Sequence, residues 1–487
     1  MWGLKRARMR NARWTAMLLA LAVWPAFLSP AMAGRFEAGS FTAHDTFGNR
    51  NPVRVTFQQP FDTVPIVVAL ADTAGNNSAS IRITNVSTTG FDELILEPDN
   101  WDGQHIAQNV HYIAVEPGRH VLPDGQIVEA GRISTAATQF GSGVAGTASW
   151  QSVSFSELLP GTPSVIAQIQ SANSETQSVA NAPSRPHITA IMQGLTSAGF
   201  QVALDRSQAN SGPIPSSETI GWIAFPGNLS GTFPDIASNP VTWSSVNTGA
   251  TIRGWDNGCF TSGIGQTSSS RIVVAKKISR NNADGGWFRR CSLNSSTIGL
   301  RVDEDRDQDN ERSVASADAE RASIIAFSRS FHALLEPDIS ASKVHVTFED
   351  PFGGEFALPD AVVEYLITVE NDGNAPPNHD SLILTEALPS SLSLVVSDFA
   401  GPGSGPIQFQ DGSPSSGLSF SFAGFGNFAD SVDFSTDGVN FTYTPSDSGD
   451  GTDPAVTHIR IQPAGFMAPN TGTGATSFAI RLKGKIN

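Results

Sequence analysis

The chain is poor in charge, poorer still in cysteine, and empty of helical signals, and each lack narrows its class. Charged residues are only 16% of its 487 residues. After the first thirty residues no long stretch places apolar residues at 3.6-residue spacing, so a helical bundle is excluded. No later apolar run is long enough to cross a bilayer as a helix. Basic residues are outnumbered, leaving a formal net charge of −16. Such a chain repels phosphate backbones, and no nucleic-acid partner is expected. The catalytic motifs are missing as well. There is no nucleophile elbow, no phosphate-cradling glycine loop, no zinc spacing among the histidines and no acid pair whose separation the sequence can fix. An enzyme is therefore not expected.

What is there begins with a leader. Lys5, Arg6, Arg8, Arg10 and Arg13 form a basic start, Thr15 to Leu28 is an apolar core, and Ala31-Met32-Ala33 supplies small residues. The pattern predicts a signal peptide over 1–33 cleaved before Gly34 and too short to span a membrane. Losing its five cations moves the net charge from −16 to −21. Export makes two free thiols improbable, so Cys259 and Cys291 are expected to form a disulfide. A metal or catalytic pair is the poorer alternative, since neither a CxxC nor a neighbouring His accompanies them.

The remaining sequence reads as β structure. Gly, Pro, Ser, Thr and Asn abound, and Val, Ile and Phe recur in short runs. Val53, Val55 and Phe57 alternate with Arg54 and Thr56, giving one buried and one wet face. Aligning strand-ending motifs reveals three divergent copies of one pattern. The first holds VRVTFQQPFDTVPIVVAL from Val53, SIRITNVSTTGFDELILE from Ser80 and HYIAVEPG from His111. The second holds SVSFSELLPGTPSVIAQI from Ser152, HITAIMQGLTSAGFQVALD from His187 and TIGWIAFPG from Thr219. The third holds SSRIVVAKK from Ser269, WFRRCSLNSSTIGLRVDED from Trp287 and ASIIAFSRSF from Ala322. Gly90, Gly199 and Gly299 sit at equivalent turns and are expected at positive φ. After the third copy the pattern changes. Val363, Tyr365, Ile367 and Val369 share one strand face, and THIRIQP and SFAIRLKGKI close the chain.

The copies resemble the H-type lectin domain, a six-stranded sandwich, through VTFQQPFDTVPIVVAL, IRITNVSTTGF and HYIAVE. The final part resembles the Ig-like repeat of bacterial surface proteins, through Pro359, Asp360, Val363, Tyr365, Ile367, Val369, Asn371, Gly373 and Leu388-Pro389. The expectation is an all-β chain of tandem β-sandwiches. Its parts are lectin-like repeats over 34–145, 146–228 and 229–333, then an Ig-like stalk over 334–487. The resemblance implies galactose- or N-acetylgalactosamine-type glycans as partners, bound between neighbouring chains of trimers or hexamers, and hence a homo-oligomer. Several weak sites would reinforce one another through effective concentration. It also implies a site in the first copy built from Asp45, Arg82, Trp101 and His105, carboxylate and guanidinium for hydroxyls and indole for a sugar's apolar face. The match of positions is loose. The place of the family's arginine falls near Ser78, and Asn100 and Trp101 stand where its aromatic–His pair would be. The expected function is a secreted or cell-surface carbohydrate-binding adhesion protein. The alternative is a structural surface or filament-associated protein that binds no sugar.

Two further features carry chemistry. Asp303, Asp305, Asp307 and Asp309 alternate along an acidic run, a spacing of oxygens that suits calcium. Arg306 and Gln308 break the EF-hand pattern, so a calcium loop and a solvated acidic loop both stay open. The histidines at 44, 105, 111, 120 and 187 are expected to be structural or solvent-exposed.

Overall fold

The computed structural model describes residues 34–43, 52–98, 105–174, 186–208 and 214–487. The expected leader, Asp45 and Trp101 lie outside those residues. The first sandwich comprises β1 (Gly34–Ala43), β2 (Val53–Thr56), β3 (Ile66–Ala71), β4 (Ser80–Ser87), β5 (Gly90–Leu96) and β6 (Gln108–Val115). An inner sheet ordered β1-β6-β3 faces an outer sheet ordered β2-β5-β4. Val55, Ile83 and Phe91 of the outer sheet pack on Val67, Ala69 and Tyr112 of the inner one.

The second sandwich follows as β7 (Gly118–Val121), β8 (Ile127–Thr135), β9 (Thr138–Gln139), β10 (Gln151–Ser154), β11 (Ser164–Ile169), β12 (Thr189–Gln193), β13 (Gly199–Asp205) and β14 (Glu218–Phe225). The third comprises β15 (Ser230–Pro234), β16 (Pro240–Asn247), β17 (Phe260–Gly263), β18 (Ile272–Lys277), β19 (Trp287–Leu293), β20 (Thr297–Asp303) and β21 (Ala322–Phe327). The order of the first sandwich recurs as β8-β14-β11 over β10-β13-β12, and again as β16-β21-β18 over β17-β20-β19. Segment 118–135, expected in the first unit, pairs within the second, through β7 on β8 and β8 on β14. Its strand IVEAGRIST carries no long apolar run, so a search keyed on such runs starts the unit one strand late. Trp222 stands at the place of Tyr112, since they pair with the equivalent alanines Ala167 and Ala69.

Each inner sheet has a fourth strand at its outer edge. Strands β7 and β15 reach theirs by hairpins. The equivalent place beside β1 is taken by β22 (Phe331–Leu335), which returns after the third sandwich and pairs Leu335 with Gly34. The opposite edges meet one another around a pseudo-threefold axis. Strand β3 packs on β14, β11 on β21 and β18 on β6, while β3, β11 and β18 touch at the centre. Val68, Ile166 and Val274 are fully buried there. Every residue of β3 and β11 is buried. That explains why IVVALA is a continuous apolar run, since a strand covered on both faces has no reason to alternate.

Local chemistry fixes the outer sheets. A Cβ on Gly90 or Gly199 would run into the carbonyl oxygen of Val55 or Val153 on the paired strand, and both have positive φ. Gly299 differs from the expectation because its φ is not positive. A Cβ there would instead strike Cys259 Sγ. Cys259 and Cys291 are disulfide-bonded across a separation of 32 residues, which stabilises by roughly 3 kcal/mol through the unfolded chain.

The last part is a separate two-sheet sandwich. Its strands are β23 (Ile339–Glu349), β24 (Val362–Asn371), β25 (Leu384–Ala387), β26 (Leu392–Val395), β27 (Ile407–Asp411), β28 (Val432–Ser435), β29 (Thr452–Asp453), β30 (His458–Ile461) and β31 (Thr476–Ile486). The sheet β23-β24-β31-β26-β29, with β27 also on β31, covers the sheet β25-β30-β28. Ile367, Val369, Phe478, Ile480 and Leu482 point into its core. It docks on the ring where Asn374 donates its side-chain N–H to the Leu334 carbonyl at 2.8 Å and Phe466 packs on the second sandwich's core. No helix among the described residues is long and apolar enough to cross a membrane.

Candidate functional site

The ring axis and the three seams around it hold most of the buried polar chemistry. Strands β3, β11 and β18 are sheet edges, and an edge leaves N–H and C=O groups to be satisfied from outside. Neighbouring sandwiches do this with different side chains at one equivalent place. His111 Nδ1 accepts the Val273 N–H at 3.1 Å. Ser323 Oγ accepts the Val165 N–H at 3.0 Å. At the third seam the equivalent residue is Gly221, and the room it leaves is filled by Gln170, which donates to the Val67 carbonyl at 2.8 Å.

At one pole of the axis all three sandwiches meet. Ser80 Oγ lies 3.0 Å from His187 Nε2, the His187 and Trp287 rings are 4.8 Å apart, and the Trp287 indole donates to the Ala79 carbonyl at 2.7 Å. Beneath lies a cavity of about 40 Å³ lined by Leu70, Gln168 and Lys276, one from each sandwich. Lys276 Nζ donates to Gln168 Oε1 at 2.7 Å, and burial lowers its pKa to about 7. Burial and the Arg82 charge lower His187 to about 3. Burial and Arg290 do the same to His111. His105, His111, His120 and His187 are all buried, so of the two roles expected for them the structural one holds.

Arg82 was expected to reach a sugar, and the structure turns it elsewhere. Its side chain is 1% exposed. It donates to the Ser171 carbonyl at 3.2 Å and the Ile188 carbonyl at 2.6 Å, both in the second sandwich. A guanidinium so enclosed serves as a clamp between units and offers no donor to a solvent ligand in this arrangement. His105 is also enclosed, with Nδ1 2.8 Å from the Ile106 carbonyl. Burial lowers its pKa, and the charges acting on it, Arg289 and Asp303, belong to the third sandwich. The structure thus sets Arg82 against the second sandwich and His105 towards the third.

The acidic run is divided between two tasks. Asp303 is fully buried and holds Arg289 at 2.8 Å and Arg312 at 3.0 Å, one on each oxygen. Both oxygens are engaged by cations, which removes Asp303 from any calcium set. Asp305 accepts the Gln208 N–H of the second sandwich at 2.9 Å, and Asp309 accepts the Gln208 side-chain amide at 3.3 Å. The Asp307 N–H donates to Asp305 at 3.2 Å. Burial raises Asp305 to about 7 and Glu304 to about 9. Among the described residues no three His, Cys, Asp or Glu side chains are grouped to hold a metal ion.

Sequence reasoning passed over Arg289, the most heavily bonded of these groups. Its donors reach the carbonyls of Asp72 at 3.1 Å, Asn77 at 2.9 Å and Ala74 at 2.7 Å across the seam to the first sandwich. The available signal was the pair Arg289-Arg290 directly after Trp287 and Phe288 on one strand, and both arginines are buried.

Residues 52–115 match the H-type lectin domain. The lectin match runs from just before β2 to the end of β6, so it covers five of the six strands of the first sandwich. No curated protein and no solved structure matches the chain.

Proposed function

We propose that the chain is an exported glycan-binding protein, secreted or held at the cell surface, that binds and does not catalyse. In this reading the second and third sandwiches are divergent lectin-like units, and the C-terminal sandwich is an Ig-like spacer that presents the ring. One observation carries the proposal. The strand order of the lectin-matched segment recurs twice more, and the three units close around one axis. Seams that would lie between chains in an assembly of single-domain lectins here lie within one chain. The ligands are galactose- or N-acetylgalactosamine-type sugars, with Asp45 and Trp101 as first-sandwich contacts. Glycan-array binding of the chain from Gly34 onward tests this, with Trp101→Ala expected to abolish the signal. A folded protein that binds no glycan rejects it.

The burial of Arg82 on the second sandwich favours a second reading, a structural surface or filament-associated protein whose sandwiches bind only one another. The same array separates the two.

A further inference from the structure

The third sandwich carries a cationic patch in an otherwise acidic chain. Trp255 lies in the loop between β16 and β17. The guanidinium of Arg312 sits 4.3 Å from its ring centroid, that of Arg301 4.6 Å and that of Arg289 5.0 Å. The loop is held firmly. Asn257 Oδ1 accepts the Gly254 N–H at 3.1 Å and the Val314 N–H at 2.7 Å, and Asp256 accepts the Arg312 N–H at 2.7 Å. A Cβ on Gly254 would collide with the Arg312 carbonyl.

Charge is not balanced there. Asp303 is shared by Arg289 and Arg312. Arg301 is half-buried on the outer face of β20 and, among the described residues, has neither a hydrogen bond nor an ion pair. Burial lowers its pKa; Asp303 opposes that, and the neighbouring Arg289 and Arg312 charges add to it. A guanidinium presents a planar fork of donors that matches a carboxylate or sulfate. Here that fork stands beside a half-exposed indole whose N–H is likewise unbonded among the described residues. An indole suits the apolar face of a sugar ring, and a guanidinium left without an anion suits an acidic substituent on it.

We infer that Trp255 and Arg301 form a binding site for an acidic saccharide, with the carboxylate or sulfate on Arg301 and the sugar ring against Trp255. The inference rests on the glycan-binding reading and names a ligand class for a sandwich other than the one the lectin match covers. Titration of the chain from Gly34 onward with glucuronic acid, galactose 6-sulfate, galactose and inorganic sulfate tests it, followed by calorimetry. Both acidic sugars are expected to bind saturably and more tightly than inorganic sulfate. Arg301→Gln should weaken them at least tenfold, with Arg301→Lys between it and the native chain, while galactose binding is unchanged. Inorganic sulfate bound as tightly as galactose 6-sulfate would mean an adventitious anion only and would overturn the inference. So would acidic sugars bound equally by Arg301→Gln. Galactose bound without any acidic sugar overturns this site and leaves the glycan-binding reading standing. Binding of no saccharide at all ends both.

Discussion

The three seams of the ring share a backbone arrangement and differ in what crosses it. Between the first and second sandwiches, Arg82 donates to the carbonyls of Ser171 and Ile188. Between the third and first, Arg289 reaches three carbonyls while Asp303 and Arg312 complete a buried charge set. Between the second and third the direction reverses. Arg280 of the third sandwich reaches back to Asp205 at 3.4 Å and to the Phe140 carbonyl at 2.8 Å, and the acidic loop closes over Gln208. Shape is held constant by apolar strands at the axis, and polar chemistry is free to diverge around it. A clamp of charge-assisted bonds can be built from either side, provided each buried group finds its partner.

That comparison can be broken at each seam. The largest effect belongs to Arg289→Met. It strands Asp303 with one cation and takes a donor from three carbonyls, and removing one partner of a buried charge set costs about 3–5 kcal/mol. Urea unfolding should show it as a lowered midpoint. Opening the Cys259–Cys291 bridge by double Ser substitution should cost about 3 kcal/mol, read in the same titration. Arg82→Leu leaves two carbonyls unsatisfied and should cost about 2–3 kcal/mol. Arg280→Ala, which takes a long 3.4 Å partner from the buried Asp205 and a donor from the Phe140 carbonyl, should cost about 2 kcal/mol.

Acid provides a graded version of the same experiment. The folded-state pKa values of His111 and His187 lie at about 3, against an ordinary 6.5. The unfolded chain therefore takes up protons first as the pH falls. Their stabilisation is fully present above about pH 6.5 and is lost as pH falls from there towards 3. Thermal midpoints should drop across that window, and His111→Gln with His187→Gln should flatten the drop. A profile unchanged by both substitutions would mean that other groups govern acid unfolding.

Much of the fold was legible in the residues, and the reasons are particular. The alternation of Val55 and Phe57 with Arg54 and Thr56 announced a strand with one buried face, and Gly90 and Gly199 marked turns where a side chain has no room. The cysteines pair as their compartment argument required. The cyclic closure was not legible. Strand β22 is short and pairs with a segment almost three hundred residues away in sequence, and nothing local encodes such a partner. The site was misread for a related reason. Arg82 looks like a surface residue when its strand is taken alone, and only the second sandwich, packed against it, makes it an interior clamp. Asp303 likewise looked like one of four alternating ligands until Arg289 and Arg312 arrived from other elements.

The central claim is that the three sandwiches form one closed ring whose seams are as firm as their sheets. Native-state hydrogen exchange of the outward-facing β3, β11 and β18 amides, Val165 and Val273 among them, tests it most directly, because these N–H groups point away from their own sheets and meet the neighbouring sandwich. The account predicts that all three exchange together and only on global unfolding of the ring. Rapid exchange along any one of them, with the other two still protected, would contradict it.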